Sequence, residues 1–179
     1  MIEQIDHRLW HVSDLLPQEQ LNEILVIQWT ELPWQKENLQ ENWPRRKITN
    51  DDSRVRQVNR YIEKCLPTIN QSLGTEFQSC HGHWWLDEPG FTCSMHTDGH
   101  LPNAMQLYWI MPSDQYGTGF YHFKNTNSLK HQFDSVPNSG YIMLNHLDPD
   151  GSQPLQWHGM FNPVPADAYR LSSYFYFYK

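Results

Sequence analysis

Two regimes of hydrophobic spacing divide the chain near residue 77. Before it, apolar residues recur every three or four positions: Leu21, Ile24 and Leu25, with Gln28 closing the series, and then Val55, Val58, Ile62, Cys65, Leu66 and Ile69. That period puts one stripe of a helix against a core. Pro17 suits a first helical turn, Asp51 or Asp52 can cap the second helix, and Gly74 can stop it. Pro67 is expected to kink or split that helix. A short edge strand is expected at 9–12, and the polar segment 34–46, with prolines nearby, reads as loop. The apolar stripes carry no chemistry, so residues 1–76 read as a helical N-terminal buttress.

From Phe77 onward the pattern changes to short apolar or alternating runs at 78–86, 92–96, 104–111, 119–123, 132–133, 141–145, 155–161 and 169–178. Turn residues separate them: Pro89-Gly90, Asp98-Gly99, Pro112-Ser113, Asn125 to Asn127, Pro137 to Gly140 and Asp148 to Gly151. Short strands with even punctuation predict a mainly β, double-sheet architecture such as a jelly roll, with the N-terminal helices packed on one sheet. The whole of 1–179 is expected to be one domain, its β core spanning 77–179.

Composition narrows the class. Lys and Arg total 13 against 20 Asp and Glu, a formal charge of -7, with no long run of either sign. Such a surface is a poor match for a polyanion, so no nucleic-acid partner is implied. No stretch approaches the ~18 consecutive apolar residues of a membrane span, and the first thirty residues lack the order of a signal peptide. Cys65, Cys80 and Cys93 are odd in number and form no CxxC pair, which suits a reducing compartment and a soluble, cytoplasmic protein. Eight Trp, nine Tyr and eight Phe, most of them after residue 80, favour pleated surfaces in the C-terminal half.

The densest chemistry is FTCSMHTDGH at 91–100, where Cys93, His96, Asp98 and His100 fall within eight residues. On a strand, residues i and i+2 share a face, so His96 and Asp98 can hold one ion together while Thr97 points away. His158, in QWHGMFNPV, is the best-placed third ligand. Two imidazoles and one carboxylate on one face of an octahedron leave three positions open, as a non-haem Fe(II) oxygenase requires. Those positions take a bidentate 2-oxo acid and then O2.

The last strand supplies a second half. In YRLSSYFYFY the positions Arg170, Ser172, Tyr174, Tyr176 and Tyr178 alternate with Leu171, Phe175 and Phe177. A guanidinium pointing into a barrel needs an anionic partner. The distal carboxylate of 2-oxoglutarate is one, held by Arg170 with help from Ser172; a protein acid such as Asp167 is the alternative.

Taken together these residues resemble the 2-oxoglutarate and Fe(II)-dependent dioxygenases, and among them the small prolyl-hydroxylase-like branch. The likeness rests on HTD at 96–98, GTGF at 117–120, PNSGYIMLNH at 137–146 and HGMFNPVPADAYRLSS at 158–173, and covers about 77–179. It implies a double-stranded β-helix of the cupin-like, jelly-roll kind. It also implies Fe(II) on His96, Asp98 and His158, the cosubstrate on Arg170 and Ser172, and Tyr108 bonded to the same carboxylate. The implied reaction hydroxylates a peptide or small molecule, consuming O2 and yielding succinate and CO2. The chain departs from the family's G-x-R-x-S pattern, having Ala168-Tyr169-Arg170. The branch that dealkylates nucleic acids resembles R-x-N-x-T-x-R near its end, whereas Ser172, Tyr174 and Tyr176 stand at those alternate positions here.

A rival reading, a cupin-like metal or small-ligand binding protein without oxygenase activity, starts from CHGHWWLDE. His81 and His83 share a strand face with Glu88 beyond them, but the second cupin motif fits poorly, since Pro137-Asn138-Ser139-Gly140 has an extra residue and the next histidine is His146. Trp84, Trp85, Trp109 and Trp157 are candidates for a substrate wall, with core packing their default.

Overall fold

The computed structural model describes residues 1–36, 44–49, 51–99, 101–110, 116–145 and 156–179. His100, His146 and the turn signals at 112–113 and 148–151 lie outside the described residues. Twelve strands are described: β1 (Ile2–Asp6), β2 (Leu9–Ser13), β3 (Gln35–Lys36), β4 (Arg45–Ile48), β5 (Ser79–Asp87), β6 (Cys93–His96), β7 (Ala104–Ile110), β8 (Gly119–Tyr121), β9 (Leu129–Gln132), β10 (Ser139–Met143), β11 (Trp157–Met160) and β12 (Arg170–Tyr178). Two α-helices accompany them, α1 (Gln18–Leu25) and α2 (Ser53–Leu73).

All pairings are antiparallel. A larger sheet runs β1-β2-β10-β7-β12-β5-β4-β3 and a smaller one β6-β11-β8-β9. The period-2 pattern of β12 decides what faces what. Leu171, Phe175 and Phe177 join Trp84, Met105, Leu107 and Trp109 in a core against Val55, Val58, Ile62, Leu66 and Ile69 of α2. Burying each such side chain is worth about 1.5–3 kcal/mol. Arg170, Tyr174 and Tyr176, on the opposite face, line a cleft shared with the smaller sheet. The final strand thus has one face for stability and one for chemistry.

α2 begins at Asp52, whose side chain accepts from the Arg54 N–H, and ends at Gly74 in the left-handed region that costs glycine nothing. It runs as one element through Pro67 rather than splitting there, its apolar stripe held on the sheet by Leu66 and Ile69 on either side of the proline. Three other expectations are corrected. β2 is not an edge strand, because β1 folds back on it with Ile2 opposite Val12. The segment read as loop contains β3 and the first two residues of β4, and the N-terminal part therefore has four strands, not one, beside its helices. β4 reads Arg-Arg-Lys-Ile, a sequence with no apolar alternation, and gains its strand form from main-chain pairing with β5. β9 and β10 begin three and two residues earlier than their apolar runs suggest. Among the described residues no helix is long and apolar enough to cross a membrane.

Candidate active site

β6 and β11 pair so that His158 lies directly opposite His96, with the two rings 4.3 Å apart. Gly159 makes this approach possible, since a Cβ there would stand 2.8 Å from the Cys93 carbonyl oxygen. Asp98 follows the end of β6 and is buried. Its Oδ1 lies 3.5 Å from His96 Nε2 and its Oδ2 3.5 Å from His158 Nε2. The three residues present ligand atoms within 4.8 Å of one another, and among the described residues they are the cluster suited to a metal ion.

The tautomers can be reasoned out. His96 Nδ1 is 2.7 Å from the Ser94 carbonyl and His158 Nδ1 is 2.8 Å from the Gln156 carbonyl. A carbonyl only accepts, so each Nδ1 carries a hydrogen and each neutral ring turns its Nε2 lone pair inward. Tyr174 reaches across from the larger sheet and donates to Asp98 Oδ2 at 2.8 Å. When both rings are neutral, three electron-pair donors thus converge on one point. That arrangement fits a cation, and two imidazoles with one carboxylate suit a first-row divalent metal. Burial alone would raise the Asp98 carboxyl, but bonding and charge from His158 and then His96 hold it down at about 2. Burial would lower His96, yet the Cys93 sulfur, the Ser94 carbonyl and Asp98 outweigh it and push the imidazole up to about 9. Without a metal, a proton is what the carboxylate attracts.

The same cleft holds Arg45 and Arg170. Asp87 on β5 is opposite Arg170 of β12 on one side and Arg45 of β4 on the other, and cross-strand neighbours interact directly. Arg170 donates from Nε and Nη2 to Asp87 Oδ2 at 2.6 and 2.5 Å. Arg45 donates to both carboxylate oxygens, from Nε to Oδ1 and from Nη2 to Oδ2. Arg170 Nη1 also donates to the Tyr116 carbonyl at 2.9 Å and contacts Met160 Sδ. Burial would raise the Asp87 carboxyl, and the Arg170 and Arg45 charges reverse this, keeping it below its usual range. Two cations against one anion leave one positive charge in excess among these three buried side chains. The acid beside Arg170 is Asp87, not Asp167. Neither Asp87 nor Arg45 was singled out in the sequence, where only the β4–β5–β12 register could have shown them together.

Between the two ends lies a hydrogen-bonded chain. Thr118 Oγ1 donates to Gln106 Oε1 at 3.2 Å, so the Tyr108 hydroxyl must be the donor in its 2.8 Å bond to Thr118 Oγ1. Tyr108 also accepts from the Thr118 N–H, and Tyr141 donates to Gln106 Oε1 at 3.0 Å. Gln106 Nε2 donates to Ser172 Oγ at 3.0 Å. Tyr108 and Ser172 therefore sit behind Gln106, Thr118 and Tyr141, which line the cleft. Tyr141 and Thr118 lay within the motifs PNSGYIMLNH and GTGF, without being named there for a role.

The cleft encloses about 520 Å³. Of the four tryptophans considered for its wall, Trp85 lines it, Trp84 and Trp109 pack under the helices, and Trp157 lies beneath Lys124. The rival histidines are not brought together. His81 is exposed beside Tyr178, His83 is buried in the cleft wall, and Glu88 pairs with Arg46.

No family model matches the chain, and no curated protein does. Solved structures do match in fold. A prolyl-4-hydroxylase from Pseudomonas putida superposes with a TM-score of 0.68 at 15% identity, over 97% of this chain and 94% of that one. A viral collagen prolyl hydroxylase from Paramecium bursaria Chlorella virus-1, complexed with 2-oxoglutarate, gives 0.63 at 12% identity, over 96% of both. HygX from Streptomyces hygroscopicus, with nickel, 2-oxoglutarate and hygromycin B bound, gives 0.65 at 7% identity, over 94% of this chain and 81% of that one. The chain has the fold of these proteins.

Proposed function

We propose that the protein is an Fe(II)- and 2-oxoglutarate-dependent dioxygenase that hydroxylates a peptide or small-molecule substrate. One observation carries the reading: a single cleft has converging ligand atoms at one end, which suit a cation, and the buried guanidinium groups of Arg170 and Arg45 at the other, which suit an anion. A 2-oxo diacid answers both, chelating metal with one end and offering a carboxylate with the other. His158 and Met160 lie two residues apart on β11, about 6.6 Å along a strand, and Arg170 touches Met160. The guanidinium is thus within reach of a five-carbon diacid held near His158. The prolyl hydroxylase and HygX structures support the assignment by their fold and by the 2-oxoglutarate bound in two of them.

In this reading His96, Asp98 and His158 hold the metal and Tyr174 fixes the orientation of Asp98. Arg170 meets the far carboxylate with Arg45 beside it. Ser172 and Tyr108 act through Gln106 and Thr118, keeping those side chains turned toward the cosubstrate. Iron and 2-oxoglutarate, when bound, supply the oxidising chemistry with O2, leaving succinate and CO2 as coproducts. The protein orients the reactants and keeps water out, with Phe120 stacked on His158 and Phe91 beneath both arginines. The two facing sheets form a double-stranded β-helix, with residues 77–179 its core in a one-domain chain. Three free cysteines suit a cytoplasmic setting.

Anaerobic titration with Fe(II) and then 2-oxoglutarate tests the proposal. The expected result is a metal-to-ligand charge-transfer band that His158→Ala abolishes while its circular dichroism stays that of a folded protein. A substrate screen scored by succinate release follows. Metal binding with no 2-oxoglutarate uptake would sink the oxygenase reading.

A further inference from the structure

His83 has a polar atom that the arrangement above does not use. It lines the cleft and is only 7% exposed, and its Nε2 is buried with no hydrogen-bond partner among the described residues. A buried polar atom left unpaired costs stability unless a ligand or water completes it. Around it stands an aromatic frame: Trp85 edge-on with centroids 4.7 Å apart, Tyr174 stacked at 5.9 Å and Tyr176 at 6.0 Å. The Tyr174 ring separates His83 from Asp98, to which its hydroxyl donates. A group anchored at His83 is therefore one tyrosine away from the triad.

We infer that His83, Trp85, Tyr174 and Tyr176 form the subsite that seats the prime substrate, by taking an oxygen acceptor onto His83 Nε2 and an apolar frame between the rings. This rests on the oxygenase reading of the cleft. The polarity follows from the neighbours. Arg45 and Lys47 lie 4.5 and 5.0 Å from the Trp85 ring, and their positive field favours an electron-rich atom beside an N–H donor. Burial first, and then Lys47 and Arg45, push the imidazole down to about 3, so it is neutral at ordinary pH. An acceptor oxygen of this kind belongs either to the carboxylate of a small acid or to a peptide carbonyl.

The test uses ¹⁵N-histidine NMR titrations of the metal-free protein with cyclohexanecarboxylate, N-acetylprolinamide and cyclohexylmethylammonium, for wild type, His83→Phe and His83→Gln. At least one of the two acceptor probes is expected to shift the His83 Nε2 resonance. It should bind His83→Phe about tenfold more weakly, the worth of one hydrogen bond, with partial recovery in His83→Gln. A larger loss for the carboxylate marks a small acid, and for the capped amide a peptide. Binding of both acceptor probes to His83→Phe within twofold of wild type would overturn the inference, as would the ammonium probe binding as well as they do. A thermal melt accompanies each variant, since a merely structural His83 would lower the melting temperature and leave probe affinity alone. These readings need no iron or 2-oxoglutarate. A failed charge-transfer titration with intact His83 responses would therefore separate the loss of the oxygenase reading from that of the subsite.

Discussion

The two ends of the cleft present opposite electrostatic problems. At the triad, two imidazole nitrogens face the two oxygens of one carboxylate across 3.5 Å, longer than the charge-assisted bonds at the other end. At the arginine end, the carboxylate of Asp87 is wrapped by charge-assisted bonds from both sides. The first end is under-filled with positive charge and the second over-filled. A site of the first kind is poised for a cation and loses little when one of its donors is altered. A site of the second kind is structural as well as receptive, because its internal ion pairs are part of the fold.

The sharpest way to break this comparison is to neutralise the carboxylate at each end. Asp87→Asn leaves two buried guanidinium groups without an anion and should cost about 3–5 kcal/mol. In a chain of this size that lowers the melting temperature by roughly 6–20 °C. Asp98→Asn in the metal-free protein should cost less, about 1.5–3 kcal/mol at most, the worth of a hydrogen bond to a charged group, here the one from Tyr174. Urea unfolding of both variants checks the order. Equal losses would show that the two ends are not built differently.

The same contrast explains what could be read from the sequence. The triad was legible because His96 and Asp98 stand at i and i+2 on one strand end, and His158 falls in a separate short apolar run, followed by a glycine and 12 residues before Arg170. Arg170 was legible from the alternation of β12. Its partner was not, because Asp87 meets Arg45 and Arg170 only through strand pairings that join residues 42 and 83 positions apart. β4 was invisible for the same reason: its charged sequence has no period of its own, and main-chain pairing with β5 overrides it. The role given to Tyr108 placed it at the ligand, whereas a local proton count, possible only with Thr118 in view, puts its hydroxyl on that threonine.

Removing Arg170 probes the over-filled end from the other side. Arg170→Met leaves Arg45 and Asp87 as a neutral pair, so the fold survives but the excess charge disappears. Cosubstrate affinity should fall by about 2–3 kcal/mol, roughly 30- to 150-fold, measured by 2-oxoglutarate titration of the metal-loaded protein. Arg170→Lys should recover part of it, as lysine keeps the charge without the planar fork. Unchanged affinity in Arg170→Met would assign the anion site to Arg45 alone.

His83 lies in the wall of the same cleft and offers a smaller effect with a pH signature. The unfolded chain protonates this imidazole below its ordinary value of 6.5, while the folded chain resists until about 3. The unfolded state binds more protons in that window, so stability falls as pH is lowered through it. At about 1.4 kcal/mol per pH unit, acidifying from 6.5 to 5 should remove about 2 kcal/mol through this residue. His83→Phe should lack that component. Urea midpoints of the metal-free proteins at pH 7 and pH 5 measure it, and parallel losses in the two proteins would show that His83 already finds a charge partner in the fold.

The smallest expected effect is at a bond that reaches across the cleft from the larger sheet to the triad. Tyr174 stands on β12 of the larger sheet, and its hydroxyl donates to Asp98 Oδ2, the oxygen that faces His158 Nε2. Burial first, and then the negative charge of Asp98, keep the phenol well above its usual range, so it remains a donor at any ordinary assay pH. Fixing the carboxylate rotamer before metal arrives spares the site that ordering when it binds. Tyr174→Phe removes the donor while keeping the ring stacked on His83. Loss of such an outer hydrogen bond typically costs 10- to 100-fold in metal affinity, and the lower end, about tenfold, is expected here because both histidines keep their own backbone anchors. Competition titration with a chelator of known affinity reads this directly. The histidine ring at 83 should still bind acceptor probes in this variant, since its own Nε2 is untouched. A wild-type metal affinity in Tyr174→Phe would mean that Asp98 is oriented by its position at the end of β6 alone, and that the larger sheet contributes nothing to the cation end of the cleft.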